Sequence, residues 1–420
     1  MAPDQNPLPE QRDAPLLGEP VTWRVLVHRF QTAENRPLAA RNLFRHGGRA
    51  VLARVRRVLS PIRALAREAS VRARIACAYP RGFLQSPHQV VEQIAGEGRP
   101  LGPEVVVFVH FDPDGALAES TRTFLRSLAE AGLPVAFVTN SGRLTEAARG
   151  FLTTHCAAIL IRRNIGYDFG AWRDALDTLG VPRAETRAIY MMNDSMFGPF
   201  ADLRPLLSAI DFSQADLWGA TESWQHRYHL QSFFLACGPR VIRSTAWKRF
   251  WRSVRPIPCK DWVIRHCEIG FTRALTRAEI RTKALYPLAR LLDPAEEARL
   301  ASVVAADKAA GGQDDRLRRA AEHAERILRA LRRERVGLNP SVDLWRQLLR
   351  AGYPFLKREL LMRNPSHVPD VGDWEEEVRE GLHADPTALA EMIRAQLGPG
   401  LAAVWRPALP KRRNPPNAAA

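Results

Sequence analysis

Cysteine is scarce and unpaired in this chain. Cys77, Cys156, Cys237, Cys259 and Cys267 are odd in number, scattered and free of any C-x-x-C pair, which argues against a disulfide framework or a thiolate zinc site and predicts a reducing, cytoplasmic setting. Long apolar runs are missing too: nowhere do roughly 18 apolar residues follow one another, so no helix is expected to span a bilayer. The polar, proline-rich start from Met1 to Glu10 lacks the apolar stretch of a secretory signal, and none is expected. A glycine-rich phosphate loop is absent, since Phe111-Asp112-Pro113-Asp114-Gly115-Ala116 carries one glycine where a dinucleotide-binding unit needs three. Lysine is absent ahead of Lys248.

Positive charge, by contrast, is plentiful. The 420 residues hold 61 Lys and Arg against 45 Asp and Glu, a net charge of +16. Such a balance predicts attraction to nucleic acid, an anionic lipid surface or phosphorylated substrates, unless it only reflects arginine-rich coding. Part of it sits in a basic stretch, Arg49 to Arg74. There Val51, Leu52, Val55, Val58, Leu59, Ile62 and Leu65 recur at helix-compatible spacing, the pattern of a helix lying on an anionic membrane or packed on the main domain.

From Glu104 onward, short Val- and Ile-rich runs alternate with helix-periodic segments. Val105 to Phe111, Val135 to Thr139, Ile159 to Arg162 and Ile189 to Met192 read as buried strands, with helices over 117–131, 143–153 and 168–179 between them. The expected fold is α/β, a Rossmannoid core with a mostly parallel sheet plus helical N- and C-terminal extensions. We divide the chain into a basic extension (1–100), the core (101–290), a helical or flexible linker (291–337), a C-terminal helical segment (338–400) and a tail (401–420).

In open α/β sheets ligands collect at the carboxyl ends of the strands. Asp112, Asn164, Gly166, Asp168, Asn193, Asp194 and Ser195 all fall at or just after such ends. Phe108 to Gly115 and Val135 to Asn140 resemble the first two motifs of haloacid-dehalogenase-like phosphatases, but the lysine that phosphoryl chemistry needs does not follow: none lies between Asn140 and Asn193. Asn193-Asp194-Ser195 instead resembles a degenerate D-x-D signature. With Asn164-x-Gly166-x-Asp168-Phe169-Gly170 before it, and Asp216 to Thr221 and His229 to Phe234 after it, the chain resembles the rhamnan synthesis protein F family, glycosyltransferase-like proteins of bacterial surface polysaccharide assembly. Matching segments run from about Val105 to Leu288 and resume over Asn339 to Pro365, including Pro354-Phe355-Leu356-Lys357-Arg358-Glu359-Leu360-Leu361.

The resemblance implies a GT-A-like core that moves a sugar, for this family rhamnose, from a nucleotide-sugar donor to a growing cell-surface glycan or lipid-linked glycan. Asp112, Asn164, Gly166, Asp168, Asn193, Asp194, Ser195, Lys357 and Arg358 are then the donor-side residues, with Trp218, His229 and Gln231 on the acceptor side. A divalent cation, Mg2+ or Mn2+, is expected on Asp194, the one carboxylate of its segment. Inverting transfer needs a carboxylate base, for which Glu268 is the candidate and Asp216 and Glu222 its competitors. Plainer roles exist for several of these: Asp168 as a helix-start residue, Asn164 and Gly166 as a turn, Lys357 and Arg358 as surface charges, and Glu268 as the ion-pair partner of Arg265. His226 and His229 have no completing ligand for a metal. The basic segments Arg49 to Arg74 and Lys411 to Arg413 carry no base-reading module, so specific nucleic-acid binding is not expected.

Overall fold

The computed structural model describes residues 20–21, 66, 68–82, 84–85, 88–331 and 337–407. Most of the basic stretch Arg49 to Arg74 and the tail Lys411 to Arg413 therefore lie outside the described residues. Among those described, no helix is long and apolar enough to cross a membrane.

The expected strands form, and they form one sheet. Val90–Ala95 (β1), Glu104–His110 (β2), Val135–Thr139 (β3), Ala158–Arg162 (β4), Ala188–Asn193 (β5), Leu217–Ser223 (β7), Phe234–Cys237 (β9) and Thr282–Tyr286 (β10) lie in the order β1-β4-β3-β2-β5-β9-β7-β10, with His229–Leu230 (β8) paired to β7. β4, β3, β2 and β5 run parallel, β9 runs against β5 and β7, and β10 is parallel to β7. This is the α/β class with a mostly parallel sheet. One strand lies outside the expected core: β1, antiparallel to β4, falls in the stretch read as extension because its sequence Val90-Val-Glu-Gln-Ile-Ala lacks a continuous apolar run.

Both faces of the sheet are covered, which is why the central strands are apolar throughout rather than alternating. One face of β2, Val106 and Phe108, packs with Phe124, Leu125 and Leu128 of Glu119–Glu130 (α1) and Leu152 of Glu146–His155 (α2). The other, Val105, Val107 and Val109, meets Phe169, Trp172 and Leu176 of Tyr167–Thr178 (α3). Trp247, Phe250 and Trp251 of Thr245–Ser253 (α4) and Phe271 of Ile269–Arg277 (α5) complete that layer. The stretch expected as a helical or flexible linker holds a pair of helices, Pro294–Ala309 (α6) and Asp315–Leu331 (α7), whose Leu300, Ala324 and Ile327 join the first layer. Beyond them a small C-terminal cluster forms around Trp345, Leu360, Leu361 and Trp374.

A two-stranded ribbon ties that C-terminal unit to the sheet. Met196–Phe197 (β6) pairs antiparallel with Leu356–Lys357 (β11), so that Lys357 stands opposite Met196 and Leu356 opposite Phe197.

The end of β4 is held from inside. Arg162 is fully buried and bonds Asp174 of α3 at 2.9 Å; its guanidinium also donates to the Asn140 carboxamide after β3 and, at 2.7 Å, to the Ile165 carbonyl. Removing one partner of a buried pair leaves an uncompensated charge, which costs about 3–5 kcal/mol. Arg162→Met is expected to lower unfolding free energy by about that amount in urea titration; a loss below about 1 kcal/mol would show that the pair does not fix this edge.

Candidate active site at the carboxyl edge of the sheet

The carboxyl ends of β2, β3, β4 and β5 lie side by side because the strands are parallel. They deliver His110, Thr139, Arg162 and Asn193 to one edge. After β5 the chain turns at once: the Ser195 amide donates to the Asn193 Oδ1 at 3.1 Å, and the Asp194 amide donates back to the Val109 carbonyl at 3.1 Å. The Asp194 carboxyl is thereby set over the end of β2. Its Oδ2 lies 3.4 Å from the Phe111 amide, 3.9 Å from the His110 Nε2 and 3.3 Å from the Arg358 guanidinium.

Asp168 meets this group from α3. The helix starts on Gly166 at φ +86°, where a side chain is strained, and a Cβ there would come within 3.0 Å of the Pro256 Cα. That turn places the Asp168 Oδ2 2.9 Å from the Asn193 Nδ2, which donates to it. Burial, reinforced by the neighbouring charges of Asp194 and Glu268, pushes the Asp168 carboxyl up to about 7. Burial likewise raises Asp194 and lowers the buried His110, whose Nδ1 lies 3.2 Å from the Thr139 hydroxyl.

Glu268 reaches the same edge from the far side of β5. It ends a π-helical segment, Val263–Glu268, leading into α5. Its Oε1 accepts from the Ser232 amide at 3.0 Å and the Ser232 hydroxyl at 2.9 Å. Arg265 is not its partner but binds Glu68 of the helix over 68–82, with both contacts at 2.7 Å. A single added residue in the helix turns the side chain by about 100°, so the π-helical winding governs which way Glu268 points.

From 164 residues further along the chain, the ribbon brings in Arg358. Its amide donates to the Ser195 carbonyl at 2.9 Å, and its guanidinium lies 5.0 Å from the Phe197 ring centre. Lys357 beside it is largely enclosed; burial lowers its ammonium, offset by the carboxylates of Glu268 and Glu359.

Other sequence candidates have different positions. Asp216 precedes β7 and so lies at the opposite, amino edge, where Arg281 at 2.9 Å and Arg240 at 3.0 Å hold it; the sequence puts it just before the strand, but only the placement of β7 in the same direction as β5 makes that the amino edge. Trp218 is buried mid-sheet, its indole donating to the Asp211 carbonyl at 3.1 Å. The Glu222 Oε1 accepts from the Leu288 amide at 3.1 Å, a structural tie. The His229 Nδ1 sits 2.8 Å from the Arg227 carbonyl, and Gln231 bridges Thr221 at 2.7 Å and Asn339 at 2.9 Å. Asp112 does sit at the carboxyl edge, but its Oδ1 accepts from the Asp114 and Ala116 amides at 2.9 and 3.0 Å and so closes a turn. That is a poor setting for a phosphatase nucleophile. Asn164 is exposed on the loop before α3.

His110, Ser232 and Arg162 also belong to this edge, although none was among the candidates above. His110 was legible as the last residue of a strand, whereas Ser232 becomes relevant only once β9 is known to run antiparallel beside β5.

A divalent cation does not fit this donor set as it stands. Among the described residues no group of three or more His, Cys, Asp or Glu side chains is placed to hold a metal ion. Magnesium bound at substrate phosphates still needs one or two free carboxylates. Here the Asp194 Oδ2 already faces a guanidinium, and Asn193 spends its carboxamide on Asp168 and Ser195.

The strand order defines an α/β protein with a mostly parallel, Rossmann-like sheet, and its acidic residues gather at the carboxyl edge, where ligands collect in such folds. Residues 135–297 match the family described as Rhamnan synthesis protein F, which bears out the resemblance drawn from the motifs. The chain is 30% identical over 195 residues to the uncharacterized protein y4gN of Sinorhizobium fredii (strain NBRC 101917 / NGR234), covering 45% of this chain and 50% of that one. To the virulence protein VirA of Vibrio anguillarum it is 26% identical over 233 residues, covering 53% of this chain and 68% of VirA. This chain thus spans about half the length of y4gN. Among solved structures, a putative nucleotide-diphospho-sugar transferase from Desulfovibrio desulfuricans G20 matches at a TM-score of 0.29 and 9% identity, over 44% of this chain and 80% of that one. The fold assignment rests on the strand order and not on this last likeness.

The raised Asp168 carboxyl has a measurable consequence. A carboxyl whose folded value lies near 7 favours the folded state while protonated, and that contribution is lost as pH rises from about 4 through about 7. Asp168→Asn removes the titration but keeps an acceptor for Asn193. Its melting temperature relative to the unaltered protein is expected to rise between pH 5 and pH 8; a difference that stays flat with pH would place the titration elsewhere.

Proposed function

We propose that the chain is a glycosyltransferase that moves a sugar from a nucleotide-sugar donor to a growing glycan. The observation that carries this reading is the convergence of Asp168, Asn193, Asp194 and Glu268 with Lys357 and Arg358 at the carboxyl edge, next to the β5 turn. The family match supports the same reading. The finer assignments, namely rhamnose as the sugar, inversion at the anomeric carbon, a cell-surface or lipid-linked glycan as acceptor and work at an anionic inner membrane face, belong to the proposal.

In this scheme the donor diphosphate lies by Asp194 and Ser195, within reach of the two basic side chains. Glu268, held by Ser232, takes the acceptor hydroxyl proton as that oxygen attacks the sugar. Asn193 and Asp168 fix the turn that carries Asp194.

A screen of labelled nucleoside-diphosphate sugars against glycan acceptors tests it. Glu268→Gln keeps shape and hydrogen bonding but loses basicity, so transfer is expected to fall roughly 100-fold with donor binding retained. Asp194→Ala is expected to abolish transfer while the protein stays folded by circular dichroism. Undiminished transfer in both variants would remove this edge as the active site.

A further inference from the structure

We infer that the site carries its own counter-charge for a departing diphosphate, supplied by the Arg358 guanidinium and the Lys357 ammonium in place of a divalent cation, with Asp194 serving as the anchor that aims Arg358. This rests on the donor reading proposed above.

The first support is how the two cations arrive. They follow one another where the strand paired to β6 ends and a short helix, Arg358–Met362, begins, and the backbone is pinned at both positions: Lys357 opposite Met196, and the Arg358 amide on the Ser195 carbonyl at 2.9 Å. Basic side chains on a free surface loop have no such constraint, whereas here the turn after β5 and the two charges form one unit.

The second is what Arg358 touches. Its Nη1 lies 3.3 Å from the Asp194 Oδ2 and 3.5 Å from the Asp194 carbonyl. Charge-assisted guanidinium bonds to a carboxylate close to about 2.7–2.9 Å. The longer contacts orient the group without saturating its five N–H donors, and its side chain keeps 31% of its surface exposed. A planar fork with spare donors suits a diphosphate.

The third is charge balance. The charges of Asp194 and Glu268 both bear on Asp168, and an acidic edge of this kind needs positive charge before it accepts an anion. Arg358 faces Asp194, and Lys357 has Glu268 among its counter-charges. Adding a divalent cation at Asp194 would set like charges together beside Arg358.

The step this supports is balanced. The bond from the sugar's anomeric carbon to the donor diphosphate breaks with its electron pair leaving on the diphosphate oxygen, where the two cations receive the charge. The acceptor oxygen bonds to the same carbon, and its proton passes to Glu268.

Calorimetric titration of the full chain with UDP, GDP and dTDP, each in EDTA and again in excess MgCl2 or MnCl2, tests the inference. At least one nucleoside diphosphate is expected to bind in EDTA within about 3-fold of its affinity with metal. Arg358→Ala and Lys357→Ala are each expected to weaken that binding by about 10- to 100-fold, and Arg358→Lys to restore only part of it. Asp194→Asn is expected to weaken binding equally with and without metal, since an anchor acts through Arg358. Binding that appears only with metal, or that survives Arg358→Ala in a folded protein, overturns the built-in cation and leaves the donor reading standing. Failure of all three diphosphates under both conditions overturns both.

Discussion

The edge on which everything else is built depends on one buried ion pair. Burying two charges costs several kcal/mol per ion unless each polar atom finds a partner. Arg162 and Asp174 find theirs in Asn140, Ile165 and the Gln89 amide, the last at 3.1 Å from Asp174. Those partners come from the end of β3, the loop before α3 and the approach to β1. One guanidinium therefore fixes the relative positions of the strand ends and the helix that carries Asp168. Gly166 completes the arrangement by allowing the left-handed turn from which α3 starts beside Pro256.

On that frame the site is assembled from segments far apart in the chain. β2 and β5 supply His110, Asn193 and Asp194, α3 supplies Asp168, the π-helical segment supplies Glu268, and the ribbon supplies Lys357 and Arg358. Burial shifts four of these groups toward their neutral forms, raising Asp168 and Asp194 and lowering His110 and Lys357. Opposite charges limit those shifts. The balance leaves a carboxyl near neutrality in Asp168, so small changes in bound charge at this edge change its protonation. The C-terminal unit is joined to the acidic edge through the ribbon, while Leu300, Ala324 and Ile327 of α6 and α7 pack on one face of the sheet.

Much of this was legible in the sequence. Continuous Val and Ile runs give buried parallel strands, and residues just past those runs gave Asp168, Asn193 and Asp194. The family resemblance, rather than any spacing, pointed to Lys357 and Arg358 as donor-side residues across a long interval. What it did not give has physical reasons. Asp216 and Asp194 both border strands, but only topology says that one stands at the amino edge and the other at the carboxyl edge. Trp218 and Gln231 carry the chemistry of sugar contacts, yet their polar atoms are spent within the fold on Asp211, Thr221 and Asn339. Ser232 emerged only from the antiparallel placement of β9, and the orientation of Glu268 depends on a π-helical turn that has no sequence period of its own.

Hydrogen exchange in the presence of a nucleoside-diphosphate sugar is the most direct measurement of the central claim that one ligand is held between the β5 turn and the distant ribbon. The account predicts that amides over residues 193–198 and 355–359 gain protection together, at the same ligand concentration. Protection confined to one of the two segments, or appearing at the amino edge around Asp216 and Arg281, would contradict it.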